Sequence, residues 1–127
     1  MDGEFVCEHS VGRTDAVGGG NFLVLAETIR GALQACDAAV QAIKAVDDVI
    51  TPFPGGVARS GSKVGSKYKA LRASTNDTFC PLLSHKPGSL IDARCTAALE
   101  LVIDGLTAHA VAQAMRVGIL AACEVGP

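Results

Sequence analysis

A cationic stretch in the middle of the chain is the first group of residues whose types and spacing could do chemistry. Between residues 61 and 72 it combines two glycines and two serines with four cations, which are Lys63, Lys67, Lys69 and Arg72. Glycines let the backbone approach a ligand closely, and consecutive N–H groups can form a nest for an anion. The spacing is not that of a P-loop, because Gly61 and Gly65 enclose only three residues. Composition alone favours a solvated charged loop over an anion cradle.

A short polar cluster follows this stretch and offers directional hydrogen bonds. It consists of Ser74, Thr75, Asn76 and Asp77, and one residue separates it from Phe79-Cys80-Pro81. Side chains of these types commonly form Asx and ST turns, which is one interpretation. The other interpretation is that they line a pocket, and the sequence by itself leaves both open.

Glu100 is the sharper chemical signal because of the strand that carries it. Strand periodicity places one set of residues on the face toward the helices, namely Cys95, Ala97, Leu99, Leu101 and Ile103. Glu100 falls on the opposite face with Thr96, Ala98 and Val102. Buried against a second surface, such a carboxyl would hold a proton for acid chemistry. The plainer alternative is a solvated glutamate on an open sheet face.

Composition limits the class of protein and its partners. The chain has 127 residues, of which 49% are hydrophobic and 19% charged, so a single folded domain is expected. Its net charge of −2 argues against a general nucleic-acid binder. No apolar run approaches the roughly 20 residues of a membrane span, so no membrane partner is expected.

The cysteines and histidines give no metal-binding pattern. The five cysteines, which are Cys7, Cys36, Cys80, Cys95 and Cys123, are odd in number and contain no C-x-x-C spacing. His9, His85 and His109 are scattered along the chain. We therefore predict free thiols in a reducing compartment and no bound metal. We also predict no leader peptide and a cytoplasmic location.

Hydrophobic periodicity predicts the elements that must position these residues. The predicted strands lie at residues 3–9, 22–27, 57–59 and 95–103, and the predicted helices at residues 29–46 and from Thr107 onward. Thr107 is the expected N-cap of the second helix. The apolar stripe of the first helix is expected to be Leu33, Cys36, Val40, Ile43 and Val46. That of the second is expected to be Val111, Ala114, Met115, Gly118 and Ala121 or Ala122.

This order of elements predicts one α+β domain over residues 1–127. Apart from the extra N-terminal strand at residues 3–9, the order is βαββα. In so short a chain this order suggests two helices packed on one face of an antiparallel sheet, which is the ferredoxin-like plait. The plait normally closes with a further strand after the second helix. We expect that closing strand to be missing here.

Six segments, taken in order, resemble one enzyme family. They are GGGNF at 18–22, PFPGG at 52–56, SKVGSK at 62–67, ASTND at 73–77 with Cys80-Pro81, LELVIDGL at 99–106 and AMRVG at 114–118. From about residue 3 to its end, the sequence resembles the C-terminal lobe of the formylmethanofuran:tetrahydromethanopterin formyltransferases. These enzymes occur in methanogens and methylotrophic bacteria.

The resemblance implies a function in one-carbon metabolism. A formyl group would move from formylmethanofuran to N5 of tetrahydromethanopterin, with no bound cofactor and with the two carrier coenzymes as substrates. Glu100 matches the family's active-site glutamate. The cationic stretch and the polar cluster would line the substrate cleft, and the residues implied there are Ser62, Lys63, Ser66, Lys67, Ser74, Thr75, Asn76 and Asp77.

The same resemblance implies partners, because it covers one lobe of a two-lobed enzyme. The lobe is expected to be inactive without an N-terminal lobe, and to pair with that lobe or form a homo-oligomer. Subunits of a formyltransferase/hydrolase complex are further candidate partners. The alternative function is a non-catalytic structural or assembly module that forms oligomers.

Overall fold

The fold places two helices against one face of an antiparallel sheet. A computed structural model describes residues 3–59, 70 and 76–125 of the chain. Its elements are β1 (Gly20–Ala26), α1 (Ile29–Ile43), β2 (Val49–Ile50), β3 (Val57–Arg59), β4 (Ala97–Gly105) and α2 (Ala108–Glu124). The predicted α+β class is therefore confirmed.

The nine-residue strand β4 is the centre of the sheet. It pairs with β1 along one side, where Phe22 lies opposite Leu101. Along its other side it pairs with β3 and then with β2, so that Ala58 lies opposite Glu100 and Val49 opposite Gly105. Every pairing is antiparallel. Within the described residues, no strand pairs with the outer edge of β1.

The core lies between the helices and one face of the sheet. The β4 side chains on this face are Leu99, Leu101 and Ile103, and each is at most 5% exposed. The helix residues in the same core cluster are Ala32, Cys36, Ala39, Val40, Ile43 and Ala114. Four of the five residues predicted to face the helices, Ala97, Leu99, Leu101 and Ile103, are thus confirmed in the core. The fifth, Cys95, was wrong, because β4 begins at Ala97 rather than at residue 95 and Cys95 is only half-buried. Burial, with a smaller effect of Asp37, raises the pKa of the Cys36 thiol to about 11, as suits a core cysteine.

Small residues let the two helices approach each other closely. A Cβ atom built on Gly118 of α2 would lie 2.8 Å from Cδ1 of Ile43 in α1. The alanines of α1 also allow a close approach, because short side chains at a helix interface let the two helix axes lie near each other. For this reason the buried face of α1 is centred on Ala32, Ala35 and Ala39, whereas the predicted stripe residue Leu33 is 45% exposed. That part of the predicted stripe was wrong.

Threonine caps begin both helices. The hydroxyl oxygens of Thr28 and Thr107 each accept the backbone N–H of the residue three positions later, at 3.1 Å. The predicted cap at Thr107 is confirmed. The first helix is shorter than predicted and ends at Ile43, with Lys44 as its C-cap. Further along, Asp48 adopts a positive φ of 62° as the chain turns into β2. Val46 still packs against the core from this turn.

The predicted strand at residues 3–9 was wrong. These residues are exposed and form no regular element, and the Phe5 side chain is 89% exposed. Alternation of polar and apolar residues gives no pairing partner by itself, and these residues pair with no strand although the outer edge of β1 is open among the described residues. Among the described residues, no helix combines the length and the apolar character needed to cross a bilayer.

Candidate active site on the open sheet face

The open face of the sheet is the face turned away from the helices, and Glu100 lies at its centre. Residues directly opposite each other on paired strands share a face. Leu23 of β1 and Ala58 of β3 lie opposite Glu100, one on each side. Asn21 of β1 lies opposite Val102, so it is the diagonal neighbour of Glu100 on the same face. The half-buried Glu100 side chain is thus flanked by two strands.

Two amide groups hold the carboxyl of Glu100. Nδ2 of Asn21 donates to Oε1 at 2.6 Å. Nδ2 of Asn76 donates to Oε2 at 3.2 Å. These two residues are the only asparagines in the sequence, and they lie far apart along the chain. Each oxygen of one carboxyl group is therefore bound by an amide from a different segment.

A close backbone approach fixes the position of Asn21. Gly19, which directly precedes β1, has a φ of +96°, and a Cβ atom there would lie 2.5 Å from the carbonyl oxygen of Ile103. A side chain at this position would clash with β4, and L-residues rarely adopt this backbone conformation. The glycine lets β1 meet β4 two residues before Asn21. The register of the β1–β4 pairing then places the Asn21 side chain within hydrogen-bond distance of Glu100.

The short helical turns after residue 75 fix the position of Asn76. Its carbonyl oxygen accepts the N–H of Phe79 at 3.0 Å, which opens the 3₁₀ turn Asp77–Phe79. The N–H of Leu90 donates to the carbonyl oxygen of Thr78 at 2.9 Å, so this turn is hydrogen-bonded to the segment that leads toward β4. Ala98, on the same sheet face as Glu100, is only 5% exposed, so this end of the open face is covered.

The arrangement leaves Glu100 able to exchange a proton with a bound molecule. A carboxylate has about four lone-pair positions, and the two amide donors occupy two of them. The carboxyl is half-buried and reaches the face that neither α1 nor α2 covers. Its orientation is set before any ligand arrives, which is the property that acid–base catalysis requires.

Of the predicted site residues, the structure brings Asn76 and Glu100 together. Asp77 follows in the 3₁₀ turn, where its backbone carbonyl accepts the N–H of Cys80 at 3.2 Å. The other predicted substrate-binding residues lie outside the described residues, and they are Ser62, Lys63, Ser66, Lys67, Ser74 and Thr75.

Asn21 was missed as a site residue. The available signal was an asparagine directly after three glycines at the start of a strand. Its distance from Glu100 depends on the pairing register, which no local pattern contains.

A separate apolar groove runs along the outer edge of β1 and does not include Glu100. Its volume is about 830 Å³, and its walls come from β1 and from both helices. Apolar side chains dominate it, including Phe22, Val24, Leu25, Ile119 and Ala122, with Cys95 and Cys123 at its margins. Within the described part of the chain, no cluster of three or more His, Cys, Asp or Glu side chains could hold a metal ion.

The geometry defines a class of protein: an α+β lobe whose open sheet face presents an oriented carboxyl to a second surface or a ligand. Residues 3–127 match the family described as FTR, proximal lobe, and the chain belongs to that family. The resemblance to the C-terminal lobe of the formyltransferases is confirmed.

Individual relatives agree with this assignment. The chain is 56% identical over 126 residues to the formylmethanofuran–tetrahydromethanopterin formyltransferase of Rhodopirellula baltica, covering 99% of this chain and 38% of the relative. A chain in the crystal structure of the formyltransferase/hydrolase complex from Methylorubrum extorquens, which contains methylofuran, is 50% identical with a TM-score of 0.77, over 87% of this chain and 36% of that chain. The Methanosarcina barkeri formyltransferase is 43% identical with a TM-score of 0.74, over 84% and 37% of the two chains.

The chain spans about two fifths of the length of the curated relatives that it matches, from 38% to 43%.

Proposed function

We propose that this chain is the C-terminal lobe of a formyltransferase that moves a formyl group from formylmethanofuran to N5 of tetrahydromethanopterin. The observation that carries the proposal is the half-buried Glu100 on the open sheet face, with an amide donor on each carboxyl oxygen. It is supported by 56% identity to an enzyme with this name. Such a lobe would act together with an N-terminal lobe.

The chemistry of formyl transfer needs a group that moves protons. The attacking N5 amine adds to the formamide carbon, and the carbon–nitrogen bond to methanofuran breaks. The attacking nitrogen must lose a proton and the leaving nitrogen must gain one, while charge develops on the carbonyl oxygen in between. In this proposal, Glu100 exchanges that proton or donates a hydrogen bond to the tetrahedral intermediate. The reaction as written needs no resident cofactor, and the two carriers are substrates.

The remaining predicted residues are proposed to line the substrate cleft. The carriers bear carboxylates, and the pterin carrier also bears phosphate. Lys63 and Lys67 would contact these anions, and the hydroxyl groups of Ser62, Ser66, Ser74 and Thr75 would donate hydrogen bonds to them. Asn76 and Asp77 would contribute from the turn that reaches Glu100.

We further propose that the lobe is a ferredoxin-like plait. The observations that support it are the central position of β4 and the placement of both helices on one face. In a plait, a further strand would pair with the outer edge of β1 and cover the apolar groove. Such a strand would remove the exposed sheet edge, which otherwise favours association with other chains.

The proposed partners are an N-terminal lobe, a second copy of the lobe, or subunits of a larger complex in the cytoplasm. The similarity to a chain of the formyltransferase/hydrolase complex from Methylorubrum extorquens supports the complex. The same observation favours the alternative function, a non-catalytic assembly module. Activity separates the two functions, because an assembly module would not depend on Glu100.

A formyl-transfer assay with a matched pair of variants tests the proposal. The two-lobe enzyme, meaning a polypeptide with this lobe and an N-terminal lobe, is the protein to assay. Changing Glu100→Gln keeps the shape but removes the transferable proton, so turnover should fall by roughly 100-fold, with a smaller effect on carrier binding. Asp104→Asn is the control, because Asp104 lies on the same face of the same strand and is also half-buried.

The control variant should retain nearly normal turnover. Normal turnover by the Glu100→Gln variant would remove Glu100 from the mechanism and favour the assembly module. The 127-residue chain assayed alone should give no product above the uncatalysed rate, and clear turnover by it would show that one lobe contains a complete site.

A further inference from the structure

We infer that Asn21 and Asn76 are positioning residues, which hold the Glu100 carboxyl in one orientation for proton transfer; this inference rests on the proposed function. Neither residue needs to touch a substrate for this role. Their amides act on the reaction through Glu100, to which they donate at 2.6 and 3.2 Å.

The convergence of the two asparagines supports this role. A glutamate side chain on an open sheet face has several rotamers available to it. An amide from β1 on one oxygen and an amide from the turn after residue 75 on the other select a single orientation. Each donor is itself held by backbone structure, Asn21 by the β1–β4 register and Asn76 by the 3₁₀ turn. A carboxyl supported in this way is set at its working geometry before substrate arrives.

The chemical type of the two donors fits a carboxyl that must transfer a proton. A lysine or arginine at either position would also orient a carboxyl, but its charge would strongly stabilise the ionised form. Neutral amides orient the group without adding a charge. Within the described residues, the ion pairs of the chain involve Arg94 with Glu27 and Asp92, and none involves Glu100.

The two contacts should differ in strength. The hydrogen bond from Asn21 is 0.6 Å shorter than the one from Asn76, from 2.6 and 3.2 Å, and its donor lies on a strand of fixed register. The donor on Asn76 lies on a short turn. Losing Asn21 should therefore disturb the carboxyl more than losing Asn76.

Single and double variants of the two-lobe enzyme test the inference. Asn21→Ala should lower kcat by roughly tenfold or more, because the carboxyl then samples unproductive orientations, while KM for each carrier changes less than twofold. Asn76→Ala should give a smaller decrease of the same kind. Asn21→Ser keeps a hydrogen-bond donor and should restore part of the loss. Asn21→Asp keeps the size but places a second carboxyl beside Glu100, so its kcat should be the lowest of the three Asn21 variants.

A double-variant cycle separates positioning from a general structural effect. In a Glu100→Gln background, adding Asn21→Ala should change kcat little, because the group that Asn21 positions no longer transfers a proton. Gln113→Ala is the control, since it removes an exposed amide from α2 and should leave kcat unchanged. Unfolding midpoints of all variants identify any that are misfolded. If Asn21→Ala is misfolded, Asn21→Ser and Asn76→Ala test the positioning role in its place.

The outcomes distinguish this inference from the proposed function. If Glu100→Gln lowers turnover but Asn21→Ala and Asn76→Ala do not, the positioning role is wrong and the function stands. The role is also wrong if Asn21→Ala lowers kcat by the same factor in both backgrounds. If Glu100→Gln itself retains turnover, the proposed function fails, and the positioning role fails with it.

Discussion

The two faces of strand β4 differ in how deeply their side chains are buried. On the helix side, Leu101 and Ile103 are completely buried. On the open side, Glu100 and Val102 are half-buried, although each lies one residue away from a core position. The difference arises because successive side chains of a strand point to opposite faces. One strand therefore contributes both the centre of the core and the candidate catalytic carboxyl.

The two faces also differ in how their side chains are held. Leu101 is fixed by close packing, which is strong because many weak contacts add together. Glu100 is fixed by two directional hydrogen bonds from Asn21 and Asn76. A change on the packed face should therefore lower stability, whereas a change on the open face should lower activity with less effect on stability.

The largest expected effect on stability follows from shortening a side chain on the packed face. Leu101→Ala should reduce the free energy of unfolding by about 2–5 kcal/mol, because it leaves a cavity among α1, α2 and the sheet. Val102→Ala, one residue along on the open face, is the matched control and should cost distinctly less. Urea denaturation followed by circular dichroism measures both variants. Equal losses would show that the two faces do not differ in packing.

A smaller loss of stability is expected at Gly19, the glycine that lets β1 approach β4 closely. Gly19→Ala introduces a side chain at a positive φ and against the Ile103 carbonyl oxygen. The free energy of unfolding should fall by about 1–3 kcal/mol from strain of this kind. Gly18→Ala is the control, because a Cβ atom at Gly18 meets nothing within 4 Å. A tolerated Gly19→Ala change would mean that the approach of β1 to β4 can relax without cost.

The smallest effect is expected at a carboxyl that solvent surrounds. Hydrogen bonds from the Arg94 side chain and backbone lower the pKa of Asp92 below its usual value, and both residues are fully exposed. A carboxyl with a lowered pKa in the folded state stabilises the fold above its unfolded pKa of about 3.9, and this contribution is lost as the pH falls below that value.

Thermal unfolding of Asp92→Asn across pH measures this contribution. The variant should melt slightly below the parent protein at neutral pH and low salt, and the difference should disappear in acid and shrink in high salt. A large difference that persists in acid would show that Asp92 acts through something other than its charge. Asp92 and Glu100 thus show two ways to orient a carboxyl. A cation in water orients Asp92, and two neutral amides on the sheet orient Glu100.

Several parts of the structure could be predicted because they depend on local patterns. The alternation around Glu100 indicated which side chains of β4 face the helices, and the threonine before α2 indicated the cap. The strand at residues 3–9 failed because an alternating pattern says nothing about which strand, if any, it will pair with. The exposed Leu33 was misplaced because alanines, which carry a weak hydrophobic signal, form the contact face of α1.

The sequence by itself determined the class of elements, the two faces of β4 and the presence of a glutamate on the outer one. Those features follow from periods of 2 and 3.6 residues, which are properties of neighbouring residues in the chain. Only the tertiary structure decided that Asn21 and Asn76 meet at that glutamate. Their meeting depends on the β1–β4 register and on the path of a turn far away in sequence, and a shift of register by one residue would place Asn21 on the opposite face.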